Sequence, residues 1–210
     1  MPPVGSLAIY CADIGSIPKG NFAWARGERR AAVRITHTGE DIAELADRIV
    51  LDFQGRHPVA LGFECPLFLP VRHDPDTLTS QRNGERGRPW SVRAGAQVLV
   101  TGLAQTLWLL ETLRRPQIRP FLDWEAFTRA GKGLFLWEAF VLSRGRSHEE
   151  VAVTAVKHFA RQAARTGATT ELQTDVRENV VESLIGGALL RTGWSKDLRL
   201  LEKPCVVIKA

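Results

Sequence analysis

Acidic residues interrupt or end the most apolar segments of this 210-residue chain. Asp13 lies in LAIYCADIG, Glu64 in VALGFECP and Glu138 in LFLWEAFVL. A bare carboxylate beside buried surface costs several kcal/mol unless it is paired, protonated or bound to a metal. Near-continuous apolar runs are typical of strands buried on both faces, so these acids are predicted at or near strand ends. Repetition of such a costly feature indicates that the acids converge on one site.

The periodicity changes along the chain from that of strands to that of helices. The first three short strand patterns are separated by turn signals and predict an antiparallel meander. Predicted strands cover 5–14, 20–26, 30–35, 58–65, 133–142 and 205–208, and predicted helices cover 40–54, 92–113, 121–130, 147–165 and 175–191. This order predicts an α/β fold with a mixed sheet, in which an antiparallel meander is joined to parallel strands and helices cover both faces.

The length fits one domain spanning 1–210, with a helical and loop insertion at about 66–130. The formal net charge of +5 favours an anionic partner, with nucleic acid first and other polyanions next. Three scattered cysteines without a CxxC pair argue against a disulfide framework and a zinc site. We expect buried, reduced thiols and a cytoplasmic location, because no signal-peptide pattern is visible and the apolar stretch 94–110 is too short and too polar to span a membrane.

Two further acids, Glu178 and Glu182, are spaced i, i+4 on the predicted helix 175–191 and therefore share one face. Carboxylates from strand ends and a helix are suited to Mg²⁺ or Mn²⁺, which prefer oxygen ligands. Two such ions about 4 Å apart can activate water and stabilise the leaving oxygen during phosphodiester hydrolysis.

Arginines are concentrated in the irregular segment 66–92 and at its edge. Long loops inside compact domains are often functional. A helix N-terminus near Ser91 could bind phosphate with the help of Arg86, Arg88 and Arg93, although a solvated loop is the commoner explanation. Trp90 and Trp124 could stack on bases, but core packing is the stronger expectation for each.

Each acid also has a structural explanation. Asp13 could cap the turn at Gly15, and Glu64 could form an ion pair with an arginine. Glu138 could lie at an exposed edge or in a salt bridge, and Glu178 with Glu182 could belong to a solvated helix face. The five histidines lack zinc spacing, so solvent or structural roles are expected for them.

Four segments, ADIG…NFAWA, LGFECPLFLP, LFLWEAFVL and ENVVESLIGGALL, resemble the RNase H-like superfamily. They are most similar to a little-characterised domain-of-unknown-function family of predicted RNase H-like nucleases. The resemblance implies that Asp13 is the first-strand acid, Glu64 the acid of an acid-x-Pro segment, Glu138 a later-strand acid and Glu182 the helix acid. It implies catalysis by these four residues, with metal bound by Asp13, Glu64 and Glu182. Glutamate replaces the commoner aspartate at positions 64 and 182.

Three functions are therefore weighed for this chain. The first is a metal-dependent nuclease or phosphodiesterase acting on nucleic acid. The second is a binding module for nucleic acid or protein that has the same fold and a degenerate site. The third is an actin-like enzyme that handles nucleotide phosphates, against which the absence of glycine-rich phosphate loops counts.

Overall fold

The computed structural model of the chain describes residues 7–29, 33–85, 89–142, 145–165 and 172–210. Within these ranges the main strands are β1 (Leu7–Asp13), β2 (Ala23–Arg29), β3 (Val33–Gly39), β4 (Val59–Glu64), β5 (Phe68–Pro70), β6 (Pro120–Phe121), β7 (Leu134–Phe140), β8 (Val181–Ser183) and β9 (Val206–Lys209). The α-helices are α1 (Ile42–Gln54), α2 (Ala94–Leu113), α3 (Trp124–Ala130), α4 (His148–Arg165) and α5 (Leu184–Arg191).

The main sheet has the order β3-β2-β1-β4-β7-β6, and β9 also pairs with β7. Strands β1, β2 and β3 form the predicted antiparallel meander, whereas β4, β7, β6 and β9 run parallel to one another and to β1. The predicted α/β class with a mixed sheet is therefore confirmed. A separate two-stranded sheet joins β5 to β8, which lies much later in the chain.

Helices cover both faces of the main sheet, as predicted. Alternate residues of β1 point to opposite faces, so Tyr10 packs in a core with α1, α2 and α5, while Ile9 packs in a core with α3 and α4. The central strands are buried on both sides, which explains why their sequences are near-continuous apolar runs.

Helix ends follow local capping chemistry. Asp41 accepts a hydrogen bond from the amide of Ala43 at the start of α1, and Asp123 accepts one from Ala126 at the start of α3. Ser147 and Glu150 form a capping box before α4, since each side chain accepts from the amide of the other. These contacts place the first turn of α4 at a defined point over the sheet.

A buried ion pair joins α1 to the sheet. The Arg26 guanidinium donates to both carboxylate oxygens of Asp52 at 2.9 and 2.8 Å, and the Tyr10 hydroxyl donates to the same carboxylate at 2.5 Å. Burial and the neighbouring Asp52 carboxylate raise the pKa of the Tyr10 hydroxyl well above its ordinary value. The phenol therefore stays protonated and acts as a hydrogen-bond donor to the helix.

The predicted helix 175–191 is wrong in its first half. Residues 181–183 form β8, which pairs with β5, and α5 begins only at Leu184. Ser183 caps α5 because its hydroxyl accepts from the amide of Gly186. The i, i+4 spacing of Glu178 and Glu182 therefore does not place them on one helix face.

Among the described residues, no helix combines the length and the apolar character needed to cross a lipid bilayer. The longest apolar helix, α2, belongs to the connection between β4 and β7, within the predicted insertion.

Two adjacent glycines, Gly186 and Gly187, test how closely α5 packs against the segment around Leu200. A Cβ on Gly186 would overlap the carbonyl oxygen of Leu200, whereas a Cβ on Gly187 would meet only Leu201, at 3.8 Å. We expect Gly186→Ala to lower the free energy of unfolding by about 1–3 kcal/mol, because the backbone must move. Gly187→Ala is expected to be neutral or to stabilise by up to about 1 kcal/mol. Urea unfolding of both variants measures this, and equal effects would contradict the packing.

Candidate functional site

Asp13 and Glu64 lie side by side at the carboxyl ends of two neighbouring parallel strands. Asp13 ends β1 and is directly opposite Glu64, which ends β4. Alternation along the strands puts Asp13 on the same face as Ile9, the face covered by α4. Opposed residues of a parallel pair share a face, so Glu64 points to that side as well. In open α/β sheets ligands bind outside the carboxyl ends of the strands.

His148, the first residue of α4, completes this group. Its Nδ1 atom lies 2.6 Å from Oδ2 of Asp13. The histidine side chain is 46% exposed, whereas the Asp13 side chain is 7% exposed. The imidazole thus connects a buried carboxylate to solvent, and it restricts the orientation of that carboxylate.

Burial controls the protonation of Asp13. Loss of solvent raises the pKa of its carboxyl to about 6, and the hydrogen bond and charge of His148 oppose this rise. Beneath the pair, burial raises the pKa of the Cys11 thiol, and the charges of Asp13 and Glu64 raise it further. Cys11 is therefore a protonated, fully buried thiol and not a nucleophile.

Glu64 is half-buried and contacts the backbone directly after β7, the neighbouring strand of β4. Its Oε1 accepts a long hydrogen bond of 3.4 Å from the amide of Val141, which follows β7. The site is consequently built from the ends of β1, β4 and β7 and from the start of α4. Asp13, Glu64 and His148 are called the Asp13 site below.

Glu138 is not part of this site, although it was predicted to be catalytic. Its neighbour in register on β4 is Phe63, whose side chain lies in the core on the opposite face of the sheet. Glu138 forms a bidentate pair with Arg82, at 2.9 and 2.5 Å, and accepts from the amide of Leu67 at 2.9 Å. The salt-bridge alternative is the one that the structure supports.

Glu178 and Glu182 are also placed elsewhere. Glu178 binds both terminal nitrogens of Arg72, at 2.7 and 2.8 Å, and accepts from the amide of Asn83. These contacts hold the pKa of its carboxyl below its ordinary value, although burial opposes them. Glu182 is exposed on β8, where it pairs in register with Leu69. The structure does not bring Glu182 together with Asp13 and Glu64 as metal ligands.

The predicted phosphate site falls partly outside the described residues, which exclude Arg86 and Arg88. Arg93 is exposed and forms the N-cap of α2 with a positive φ of 51°. Ser91 is not the cap, because its hydroxyl donates to the carbonyl of Thr79. The phosphate role of these three arginines remains a prediction.

The two candidate stacking tryptophans occupy different environments. Trp124 is buried among Phe127, Phe135 and Phe159, with ring centroids 5.1–5.6 Å apart, so it belongs to the core. The half-buried Trp90 donates its indole N–H to the carbonyl of Ser80 and so fixes the loop before α2.

Asp13 and Glu64 offer carboxylate oxygens at neighbouring strand ends, the kind of ligand that hard divalent cations prefer. Two adjacent carboxylates are enough for Mg²⁺ or Mn²⁺, which keep several waters and complete their shell with substrate oxygens. Over the ranges that the structure describes, no cluster of three or more histidine, cysteine or acidic side chains has the spacing of a metal site. A two-ion centre would need a third and a fourth acid. Glu138 points to the opposite face of the sheet and Glu182 lies on the separate sheet of β5 and β8, so neither residue supplies one.

Sequence reasoning assigned His148 only a solvent or structural role. One available signal was its position at the start of the helix after β7, because a right-handed crossover returns a helix across the sheet from the carboxyl ends of the strands.

No protein-family model, curated protein or solved structure matches this chain.

Removal of Arg82 tests the assignment of Glu138. Both Glu138 and Glu85 pair with this fully buried guanidinium. Arg82→Ala would leave two buried carboxylates unpaired, so we expect a loss of about 3–5 kcal/mol in the free energy of unfolding. Arg199→Ala is the control, since its pair with Asp197 is exposed to solvent and its loss should change stability little. Similar values for both variants, measured by denaturant unfolding, would refute the buried network.

The pKa of Asp13 sets a pH dependence in metal-free buffer with EDTA. A folded-state pKa of about 6, against an ordinary 3.8, means that the folded chain holds the proton more tightly. Stability from this group is thus present at low pH and is lost as pH rises from about 4 to about 6. Relative to Asp13→Asn, the wild type should lose at most about 3 kcal/mol over this window.

Asp197→Asn is the control for this pH series. Arg199 lowers the pKa of the Asp197 carboxyl, so the same comparison should show no fall. Urea unfolding at a series of pH values measures both differences, and a wild-type advantage over Asp13→Asn that grows with pH would exclude a raised pKa.

Proposed function

We propose that this chain is an RNase H-like hydrolase of phosphodiester bonds that uses one Mg²⁺ or Mn²⁺ ion held by Asp13 and Glu64. The observation that carries the proposal is the register of the two acids at the ends of β1 and β4, on one face of the sheet. A meander leading into parallel strands with acids at their ends is what the resemblance to RNase H-like proteins implies. The proposal differs from the sequence prediction in leaving out Glu138 and Glu182.

A bound ion would act as a Lewis acid and lower the pKa of a bound water. The chain's own contribution is to hold the two carboxylates. The in-register backbone of β1 and β4 sets their separation, and His148 orients Asp13 through its Nδ1 atom. The exposed part of the imidazole faces solvent, where a phosphodiester would approach.

The charge of the chain supports an anionic substrate. A net charge of +5 attracts polyanions, and attraction of this kind weakens as salt rises. Two arginines of the long loop, Arg72 and Arg82, are already paired with glutamates. Phosphate contacts therefore have to come from other basic residues.

A second candidate function is a binding module for nucleic acid or protein with a degenerate site. Its support is the pairing of Glu138 with Arg82 and of Glu178 with Arg72, because these two acids are then not open to the ions of two-ion hydrolysis. The fold and charge are the same for both functions, so metal dependence separates them.

Thermal melting with Mn²⁺ or Mg²⁺ tests the proposed centre. We expect millimolar metal to raise the melting temperature of the wild type by a few degrees, since a ligand that binds only the folded state stabilises it. Asp13→Asn and Glu64→Gln should abolish the rise, because each removes a ligand. Glu182→Gln is the matched control and should keep it.

Cleavage of labelled single-stranded and duplex nucleic acids is measured in parallel. Metal-dependent cleavage that Glu64→Gln reduces at least 100-fold supports the hydrolase. Binding with a steep salt dependence but no cleavage and no metal effect on melting would replace it with the binding module. A rise in melting temperature lost in Glu182→Gln and kept in Asp13→Asn would refute the Asp13 site.

A further inference from the structure

Helix α2 exposes an apolar face that its own fold leaves uncovered. Val100 is 71% exposed, Trp108 43% and Leu103 41%. The opposite face packs in the core through Leu109, Leu110 and Leu113. From 94 to 110 the helix carries no charged residue. Isolated exposed apolar residues are ordinary, but a contiguous patch indicates an interaction site.

Segments bonded to α2 carry further exposed apolar residues. Gln105 of α2 donates to the carbonyl of Gly15, close to the exposed Ile17, which is 41% exposed. At the helix start, Ser91 donates to Thr79, next to the 54% exposed Leu78. Of the eleven large hydrophobic residues that are exposed in the described ranges, six lie on α2 or beside it: Ile17, Leu78, Val92, Val100, Leu103 and Trp108.

The exposed face has the spacing of a coiled-coil seam. Its exposed residues are three or four positions apart along the chain: Arg93, Gln97, Val100, Ala104, Trp108 and Glu111. Such spacing puts the residues in one narrow stripe along a helix, as it does for the contact positions of a coiled coil. A stripe of this kind fits another helix with the same spacing.

We propose that this face binds α2 of a second copy of the chain, in antiparallel orientation about a two-fold axis near residue 102. The charges at the ends of the stripe select this partner and orientation. Arg93 and Glu111 are both exposed and lie at opposite ends of the stripe. An antiparallel pair places each Arg93 beside Glu111 of the other copy, whereas a parallel pair would oppose like charges.

The same axis pairs the remaining positions of the seam. Val100 then faces Ala104 of the second copy. The large Trp108 faces Ala96, a small residue that leaves room for the indole. Each copy thereby covers the apolar residues of the other, as an isologous two-fold interface requires.

The size of the seam sets the strength of the dimer. Twenty residues of α2 span about 30 Å, which is fewer than three heptads. Such a seam with its flanks falls at the small end of specific interfaces. We therefore expect a dissociation constant on the order of micromolar, so that the dimer forms and dissociates with concentration.

Sedimentation velocity of the full chain from about 1 to 200 μM tests the dimer. The wild type should shift from monomer to dimer, and Val100→Lys should weaken the association at least 20-fold. Leu198→Lys is the matched control, because Leu198 is also 71% exposed but lies away from α2. Unchanged melting temperatures show that both variants are folded.

A charge exchange tests the orientation. Arg93→Glu and Glu111→Arg should each weaken the dimer several-fold, and the double variant should recover it. A wild type that stays monomeric at 200 μM overturns the proposal and leaves the face to a different partner. A dimer that Val100→Lys leaves intact, or that the double variant does not recover, overturns the proposed seam.

Discussion

The buried pair of Arg82 and Glu138 connects the insertion of this chain to its central sheet. Arg82 is completely buried, stacks over the Phe68 ring at 4.6 Å and binds Glu85 from its own loop as well as Glu138 from β7. The desolvation of three charges is offset only because every partner is present, so the loop can adopt one position. Because β5 lies in the same segment, this pair also positions the small sheet with β8.

Strand register determines the composition of the Asp13 site. Side chains alternate along a strand, so an acid one position out of step with its neighbours points to the other face. Glu64 and Asp13 are in register and point towards α4, whereas Glu138 sits in register with Phe63 and points away. Three acids at the same edge of one sheet thus divide into a pair on the face covered by α4 and a third, on the opposite face, that binds Arg82.

The sequence predicts the meander, the buried central strands and helices α1 to α4, because their periodicities are long and unambiguous. It does not predict that Glu178 and Glu182 leave the helix. Their i, i+4 spacing with apolar neighbours imitates a helix, but β8 gains hydrogen bonds from β5, a strand more than 100 positions earlier. Partners that are distant along the chain also explain why His148 and the Arg82 pair could not be assigned from local pattern alone.

If Asp13 binds the proposed ion, burial makes that binding depend on pH. A ligand must be deprotonated to bind, so the ion and the proton compete for this carboxylate. Because the pKa of Asp13 is about 6, the ion and the proton compete for its carboxylate at pH values just below neutral. His148 is bonded to the same carboxylate and is partly exposed, so its imidazole lies between Asp13 and solvent. The burial that raises the pKa of Asp13 also lowers the local dielectric, which strengthens its attraction for a cation once the proton is lost.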